Sequence, residues 1–290
     1  MIHIQDFTFN SFLTRCSVVW DESLSCAIVD PGCSSDAEIT ELTSFISARG
    51  LKPVCIMLTH GHFDHVLGVA ALASRYSVPV SASGSVAPSD APASDSDSAS
   101  SASASRPLPV YMHPADKATL EGNSYFCRYF GAPLPAPFDT VDIREAGSSE
   151  GPCTTASDSS CATSGCADGP DVPKGISVIE VGSLRFKVIE TPGHTPGGVS
   201  FYEPDEKVLF SGDSLFAGAI GRTDHPGGDY EMLMKSILEK LLPLDVQPSA
   251  DESAPHTSVT VIPGHGPCTD IAREGMTNPF LLPFNEPYEE

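Results

Sequence analysis

Residues 58–68, LTHGHFDHVLG, constrain this chain more than any other stretch of its sequence. They place three of the nine histidines and one aspartate within six positions. A strand-like run, PVCIML, precedes them and a helix-like run, VLGVAALASRY, follows, so the polar residues lie in a strand-to-helix turn. In extended backbone His60 and His62 point to the same side, and Asp64 and His65 turn back toward that side where the helix starts. Such convergence is typical of ligands of a divalent metal ion.

Three further polar residues follow strand-like runs and stand beside glycine. They are His194 in VIETPGHTPGG, Asp213 in VLFSGDSLF and His265 in VTVIPGHGP. The resulting seven side chains exceed the four ligands of one zinc-type ion, but they suit two ions that share a bridging carboxylate and keep room for water. The sequence therefore predicts two divalent metal ions. A set of only His and Asp suits zinc, iron and manganese alike, and we expect zinc first.

The composition excludes several classes of protein. With 290 residues, 40% of them hydrophobic, the chain can bury one large core or two modest ones. Its 38 acidic and 16 basic residues give a net charge of −22, which repels nucleic acid and anionic membranes. The N-terminus lacks the pattern of a secretory signal, and no segment approaches the roughly 20 apolar residues of a membrane span. We expect a cytoplasmic globular protein with no nucleic-acid or membrane partner; its oligomeric state stays open.

Three segments differ in composition from the rest of the chain. Residues 81–105 and 145–173 consist mostly of small and polar residues, and 247–257 is a shorter example. Because such segments bury too little apolar surface to offset their ordering entropy, we predict disordered surface insertions in a single domain over residues 1–290. The nine cysteines show no CxxC pairing, which favours reduced thiols. Three of them lie in the second insertion with a spacing that fits no metal site: Cys153, Cys161 and Cys166.

The remaining sequence alternates strand-like and helix-like segments. Runs rich in β-branched and aromatic residues predict strands at CSVVW, SCAIVD, PVCIML, LPVYM, ISVIEV, LRFKVIE, GVSFY, KVLF and SVTVI. Helices are predicted over 36–48 with Asp36 as N-cap, 65–76, part of 114–130, 229–241 with Asp229 as N-cap, and 270–276. This alternation predicts sheets covered by helices, with the chemistry in loops at strand ends.

Together, the motifs resemble those of the metallo-β-lactamase-fold hydrolases. That family carries HxHxDH followed in order by a histidine, a bridging aspartate and a last histidine, and this chain has the full series, from DPG at 30–32 to PGHG at 263–266. The resemblance implies an α+β fold, an αβ/βα four-layer sandwich, with the site at one edge of two facing sheets. It also implies which residues hold each ion: His60, His62 and His194 one, Asp64, His65 and His265 the other, with Asp213 bridging.

Within the family, an aspartate at position 213 resembles the glyoxalase II branch. Many true β-lactamases have a cysteine at this position instead. SGDSLFAGAIGRTDHPGGD and TNPFL are similar to the compact glyoxalase II-like (hydroxyacylglutathione hydrolase-like) proteins. The sequence ends soon after His265, so we expect it to lack the C-terminal helical domain with which full-length glyoxalase II grips glutathione. The resemblance implies hydrolysis of a small-molecule acyl thioester, with Asp64 as the catalytic residue that orients the attacking hydroxide. It places a substrate-binding residue at Arg222, for which a surface salt bridge is the alternative.

Other functions stay open at this point. A persulfide dioxygenase shares the fold but uses a single iron and fewer of these ligands, so the complete set argues against it. A metal-bearing scaffold without turnover is disfavoured because no ligand is lost. Other hydrolases of the fold remain alternatives: lactonase, β-lactamase and phosphodiesterase. His113 and His225 lie outside the ligand pattern, and we interpret both as non-catalytic loop residues.

Overall fold

The structure, a computed structural model, describes residues 1–79, 105–146, 177–245 and 258–282. The strands in these ranges are β1 (His3–Phe9), β2 (Thr14–Trp20), β3 (Ser25–Val29), β4 (Lys52–Met57), β5 (Ser77–Pro79), β6 (Ser105–Pro107), β7 (Val110–Met112), β8 (Val141–Asp142), β9 (Val178–Val181), β10 (Leu184–Glu190), β11 (Val199–Glu203), β12 (Val208–Gly212), β13 (Leu215–Phe216), β14 (Ala219–Ile220), β15 (Thr260–Pro263) and β16 (Thr269–Asp270).

The α-helices in the same ranges are α1 (Asp36–Arg49), α2 (Phe63–Val66), α3 (Val69–Arg75), α4 (Lys117–Phe130), α5 (Tyr230–Ser236) and α6 (Ile271–Thr277). A π-helical segment, Ile237–Leu241, continues α5. Short 3-10 helices lie at Pro114–Asp116, Ile143–Glu145 and Leu242–Asp245. None of these described helices is long and apolar enough to cross a membrane.

Most strands belong to two six-stranded sheets. The first has the order β1-β2-β3-β4-β7-β8, and the second has the order β16-β15-β12-β11-β10-β9. In the first sheet, β3, β4, β7 and β8 run parallel. In the second, β15 is parallel to β12, and β10 also runs with β12 because both are antiparallel to β11. Strands β10, β12 and β15 therefore all end at the same edge of their sheet.

Apolar side chains hold the sheets and helices together in layers. Between the sheets, Met57 of β4 and Phe210 of β12 belong to one buried cluster. A second cluster joins the first sheet to Leu42 of α1 and Leu72 of α3. A third joins the second sheet to helices that include Leu233 of α5. These layers are the αβ/βα sandwich predicted from the sequence, and the α+β fold class is confirmed.

The predicted N-cap residue is confirmed for one helix and wrong for another. The Asp229 carboxylate caps α5 by accepting a hydrogen bond from Met232 N at 2.9 Å. For α1 the N-cap is Ser35, whose hydroxyl accepts from Glu38 N, so the prediction that Asp36 caps this helix is wrong. The helix begins at Asp36, the first residue of the predicted range, and the Asp36 carboxylate lies in its first turn, where the helix dipole favours negative charge.

The single helix predicted over residues 65–76 is two helices, α2 and α3. Gly68 N donates to Pro31 O at 2.8 Å, and a Cβ at Gly68 would lie 2.9 Å from that oxygen. The loop after β3 packs against the chain at this break, which brings Asp30 beside the histidine-rich turn. Sequence reasoning also missed β1, an edge strand that pairs antiparallel with β2.

The predicted insertions lie outside the described residues except at their ends. Ser105 begins β6, Glu145 ends a 3-10 helix and Ala146 is buried, so described elements include these end residues of two segments. The adjoining ordered elements extend slightly further than composition indicated. Disorder of the remaining residues, which include Cys153, Cys161 and Cys166, stays a prediction, and so does the single-domain organisation.

Candidate metal centre

The histidine-rich turn follows β4 at the edge where both sheets end. His60 lies on the loop after β4, and His62 is the N-terminal cap residue of α2, so Asp64 and His65 fall inside that short helix. His60, Asp64 and His65 are buried. Val199 N at the start of β11 donates to Thr59 O at 2.8 Å, which fixes this turn against the second sheet.

The second sheet contributes three side chains from three separate loops at the same edge. His194 follows β10, Asp213 follows β12 and His265 follows β15, as the strand directions require. Arg15 N of β2 donates to Gly264 O at 2.7 Å, so the last of these loops also contacts the first sheet. Both halves of the sandwich therefore supply side chains to one place.

The seven predicted ligands form two groups with Asp213 between them. The ligand atoms of each group lie within 4.8 Å of one another, in the sets His60, His62, His194 and Asp64, His65, His265. Asp213 Oδ2 lies 3.6 Å from His194 Nε2 and 3.5 Å from His265 Nε2. Asp213 Oδ1 lies 3.5 Å from His65 Nε2. The structure thus brings together all seven residues singled out in the sequence, and Asp213 contacts both groups.

Three of the histidines are oriented by hydrogen bonds at the ring nitrogen that faces away from the cluster. His65 Nδ1 lies 3.1 Å from Asp30 Oδ2, His194 Nδ1 donates to Arg222 O at 2.8 Å, and His265 Nδ1 donates to the main-chain oxygen of Phe12 at 3.1 Å. Each contact leaves Nε2 directed at the cluster. Partners of this kind fix the tautomer of a metal-bound histidine.

Asp30, His60 and His65 form a further compact group, but the Asp30 carboxylate is already engaged. Its oxygens accept from Thr59 N at 2.8 Å and Thr59 Oγ1 at 2.6 Å, in addition to the contact with His65. Asp30 therefore orients the ring of His65, which explains why the DPG motif accompanies the histidine motif in this chain.

The cluster shows the features expected of residues arranged for cations. His60 Nε2 and Asp213 Oδ1 are buried without a hydrogen-bond partner, which is costly unless an ion takes that place. His62 Nδ1 lies 2.9 Å from His194 Nε2, so two imidazole nitrogens face each other. A Cβ at Gly264 would collide with the Asp213 carboxylate, which leaves no room there for any larger residue. The donor set fits divalent metal ions.

The histidines of the cluster differ in their pKa values because their electrostatic surroundings differ. Burial lowers the pKa of His60 well below its usual value, with a further contribution from the neighbouring histidines, so its ring is neutral as a ligand must be. Burial alone would lower the pKa of His65 too, but Asp64, Asp213 and Asp30 raise it to about 10. For Asp64, burial raises the pKa, but His65 and hydrogen bonds lower it overall. The carboxylates around His65 thus create a strongly negative field, which also attracts a dication.

A buried carboxylate that sequence reasoning missed ties the metal-ligand loops together. Asp116, fully buried at the start of α4, accepts from Gly61 N at 2.7 Å, Thr195 Oγ1 at 2.8 Å and Gly197 N at 2.7 Å. It joins the turn of the first half to the loop that carries His194. Its sequence context, HPAD before a helix, resembles an ordinary helix start, so no local signal marks this role.

A cavity of about 590 Å³ opens beside the cluster. Arg222 lines it, but its Nε and Nη2 donate to the two oxygens of Asp224 at 2.9 and 3.0 Å, in a pair more than two-thirds exposed. Arg222 therefore forms a surface salt bridge at the edge of the cavity, and its contact with a substrate stays a prediction. His225 also lines the cavity, with Nε2 3.4 Å from His194 Nδ1, whereas His113 Nε2 lies 3.4 Å from Glu190.

The Metallo-beta-lactamase superfamily model matches residues 12–265. The chain belongs to this superfamily. It is similar to the hydroxyacylglutathione hydrolase GloC of Haemophilus influenzae, with 29% identity over 281 residues that cover 97% of this chain and 98% of the relative. The BLEG-1 B3 metallo-beta-lactamase structure matches with TM-score 0.65 and 29% identity, covering 96% of this chain and 99% of that one. A di-iron-bound form of TTHA1623 matches with TM-score 0.60 and 28% identity, covering 96% and 100%.

These relatives agree on the class of protein and differ in finer detail. Their descriptions include a hydrolase, a lactamase and an iron-bound protein, and the two solved structures share the fold of this chain. With the His/Asp groups at the sheet edge, they identify the chain as a metal-dependent hydrolase of the superfamily.

Proposed function

We propose that this metallo-hydrolase cleaves acyl thioesters. Hydroxyacylglutathione-like compounds are the first class to test, because one relative is described as a hydroxyacylglutathione hydrolase.

 The observation that carries this proposal is the position of Asp213 between two groups of buried ligand atoms at one edge of the sandwich. The near full-length relative described as hydroxyacylglutathione hydrolase GloC supports the substrate class.

We assign the ligands as the two groups suggest. His60, His62 and His194 would hold one ion, Asp64, His65 and His265 the other, and Asp213 would contact both. Bound divalent ions supply Lewis acidity, which makes water nucleophilic at neutral pH and polarises a carbonyl oxygen. Zinc is the ion we propose first, and the di-iron form of a relative keeps iron as the alternative.

Asp64 is the residue that we propose to orient the attacking water. Thr14 Oγ1 donates to Asp64 Oδ2 at 2.8 Å, and His265 Nε2 lies 3.4 Å from the same oxygen, so the carboxylate is held in one orientation. Asp64 also lines the cavity beside the cluster, where a substrate would enter. A carboxylate fixed in this way can accept a hydrogen bond from water and align it with a carbonyl carbon.

Hydrolysis of a thioester then needs no nucleophile from the protein. The water oxygen bonds to the carbonyl carbon, the carbon–sulfur bond breaks, and the products are a carboxylic acid and a free thiol. Because a thiolate is a stable leaving group, no general acid is required at the sulfur. Arg222, at the rim of the cavity, is placed to contact the outer part of the substrate.

The experiment is an anaerobic assay of thiol release from a panel that contains S-lactoylglutathione and other thioesters, alongside lactones, β-lactams and phosphodiesters. We expect thiol release that a chelator suppresses and that added Zn²⁺ or Mn²⁺ restores. A fully metallated protein that releases no thiol from any thioester would contradict the proposal. Oxygen consumption with glutathione persulfide would favour the dioxygenase, and cleavage of another bond would favour another hydrolase of the fold.

A further inference from the structure

Aromatic side chains form one wall of the cavity beside the metal centre. Helix α4 carries two Tyr-Phe pairs four residues apart, which places them on one side of the helix. All four side chains line the cavity: Tyr125, Phe126, Tyr129 and Phe130. Tyr125 is 66% exposed and Tyr129 74% exposed, which is unusual for large rings and leaves their faces available. We refer to these four residues as the aromatic wall.

The aromatic wall is continuous with the metal centre at one end. The Phe126 ring lies 5.8 Å from the ring of His62 and 6.3 Å from that of His225. At the other ligand group, the Phe216 ring lies 6.3 Å from His265. An apolar group seated against the wall would therefore belong to a molecule whose reacting bond lies at the cluster.

Two further aromatic residues that line the cavity, Phe12 and Phe63, contact the aromatic wall. The Phe130 ring lies 5.3 Å from Phe12 and 6.2 Å from Phe63, and Phe12 meets Phe63 edge-on at 5.0 Å. Phe63 is buried at the start of α2, one residue from Asp64. The position of the wall is thus linked to the helix that carries two of the predicted ligands.

The cavity offers little to an anionic group outside the cluster. Arg222 is the one Lys or Arg side chain among the described residues that line it, and its guanidinium is paired through two hydrogen bonds with Asp224. The net charge of −22 also repels anions at long range. A carrier with several carboxylates would have to displace Asp224 to gain a cation.

We propose that the aromatic wall binds a planar apolar group of an uncharged thioester, and that the preferred carrier is not an anionic peptide. The thioester part of this statement rests on the proposed function, while the binding part concerns only the cavity. Offset or edge-on contact with the exposed tyrosine rings gives affinity that a small aliphatic group lacks. The planar group belongs either to the acyl part or to the thiol part, and both present the same surface to the wall.

Binding of unreactive thioethers to the metal-loaded protein, measured by calorimetry, tests the proposal without turnover. The probes are S-benzyl-N-acetylcysteamine, S-methyl-N-acetylcysteamine and S-benzylglutathione. We expect the benzyl compound to bind about tenfold more tightly than the methyl compound, and more tightly than the glutathione conjugate. Thioesters with a benzoyl group on N-acetylcysteamine, or an acetyl group on benzyl mercaptan, then show by their KM values which part carries the planar group.

Substitutions in and near the cavity test which residues cause the preference for the benzyl probe. Tyr129→Ala should weaken the binding of the benzyl probe about tenfold, Tyr129→Phe should retain it, and Tyr230→Ala should leave it unchanged as a matched control outside the cavity. Asp224→Asn should improve binding of S-benzylglutathione by releasing Arg222, with little effect on the uncharged probe.

Two outcomes would overturn the proposal. One is equal binding of the benzyl and methyl probes, or a benzyl preference that survives Tyr129→Ala. The other is tightest binding of S-benzylglutathione that Arg222→Ala abolishes, because Arg222 would then act as a carboxylate clamp. Neither depends on catalysis: failure of every thioester to release thiol would contradict the proposed function and leave the binding result to stand by itself.

Discussion

The two halves of the sandwich supply the metal centre in different ways. The first half places four predicted ligands within residues 60–65, on one turn and one short helix. The second half places one ligand after each of three strands, at positions 194, 213 and 265. Local backbone geometry therefore arranges the first set, whereas the second set depends on the pairing of β10, β11, β12 and β15.

The two sets of ligands differ in how sensitive they are to changes elsewhere in the fold. The first set moves as one unit, so its internal geometry survives small shifts of the sheets. The three ligands of the second set come together only if the strands pair as described and if contacts between the two halves hold the loops in place. Asp213 and Asp116 are two of the residues at which the halves meet, the first at the ligand groups and the second behind them.

Asp213→Ala should have the largest effect of any single change. Because Asp213 contacts both ligand groups, its loss should release one or both ions and reduce kcat/KM by more than the roughly 10–100-fold typical of residues behind the ligands. Metal content and thiol release should be measured together, with Asp205→Ala as an exposed control. The fold should persist, as circular dichroism can verify. Two ions per chain with near-normal turnover would show that Asp213 does not join the groups.

His265→Ala should distinguish the two ligand groups, because it removes a ligand from only one of them. We expect the metal content to fall to one ion per chain, since His60, His62 and His194 remain, and turnover to fall less than in Asp213→Ala. His194→Ala should give the reciprocal result with the other group retained. If either variant lost both ions, the two groups would not bind independently, and the division between them would be wrong.

The ligand candidates were accessible from sequence because their signals are local. Four lie within one turn, and the others stand beside glycine directly after β-rich runs, so strand ends alone place them at a sheet edge. Asp116 had no such signal, since its partners Gly61 and Gly197 are distant in sequence and meet only in the folded chain. Ser35 was missed as a cap because a serine and an aspartate stand side by side, and either can begin a helix.

Asp116→Ala tests whether the halves are held together behind the ligands. Removing the carboxylate leaves the main-chain N–H groups of Gly61 and Gly197 unpaired, and we expect a loss of about 3 kcal/mol in the free energy of unfolding. Metal affinity should fall as well, because the ligand loops lose their common anchor. Asp21→Ala is the matched control: it removes a buried carboxylate that joins Ser23 to Ser183 away from the metal centre. It should reduce stability while metal affinity stays unchanged.

Asp21 also predicts a pH dependence for the contact between the halves. Burial raises its pKa, but hydrogen bonds from Ser183 and Ser23 lower it to about 2, below the usual value near 3.8. Because the folded pKa is depressed, the stabilisation is present above the unfolded pKa and is lost as pH falls through the folded value. Between pH 4 and 2 the wild-type protein should lose about 2 kcal/mol more than Asp21→Asn in chemical denaturation. Equal losses would show that this carboxylate is not stabilised in the fold.

The smallest effect is expected from the segments of low complexity. Deleting residues 83–104 and 148–170 should leave metal content unchanged and the midpoint of thermal unfolding nearly so, because shortening a surface loop changes its closure entropy only slightly. Differential scanning calorimetry of each deletion variant measures this midpoint for the two segments separately. Loss of folding would show that a segment predicted to be disordered belongs to the core.

The number of metal ions that each chain binds shows whether both ligand groups hold a metal. Elemental analysis of the purified wild-type protein, loaded with Zn²⁺ and freed of weakly bound metal, should give two ions per chain. That result is what we expect if side chains from both halves form two ligand groups around Asp213. A value of one or none at saturating metal would contradict the account, because one of the groups would then be an ordinary polar cluster.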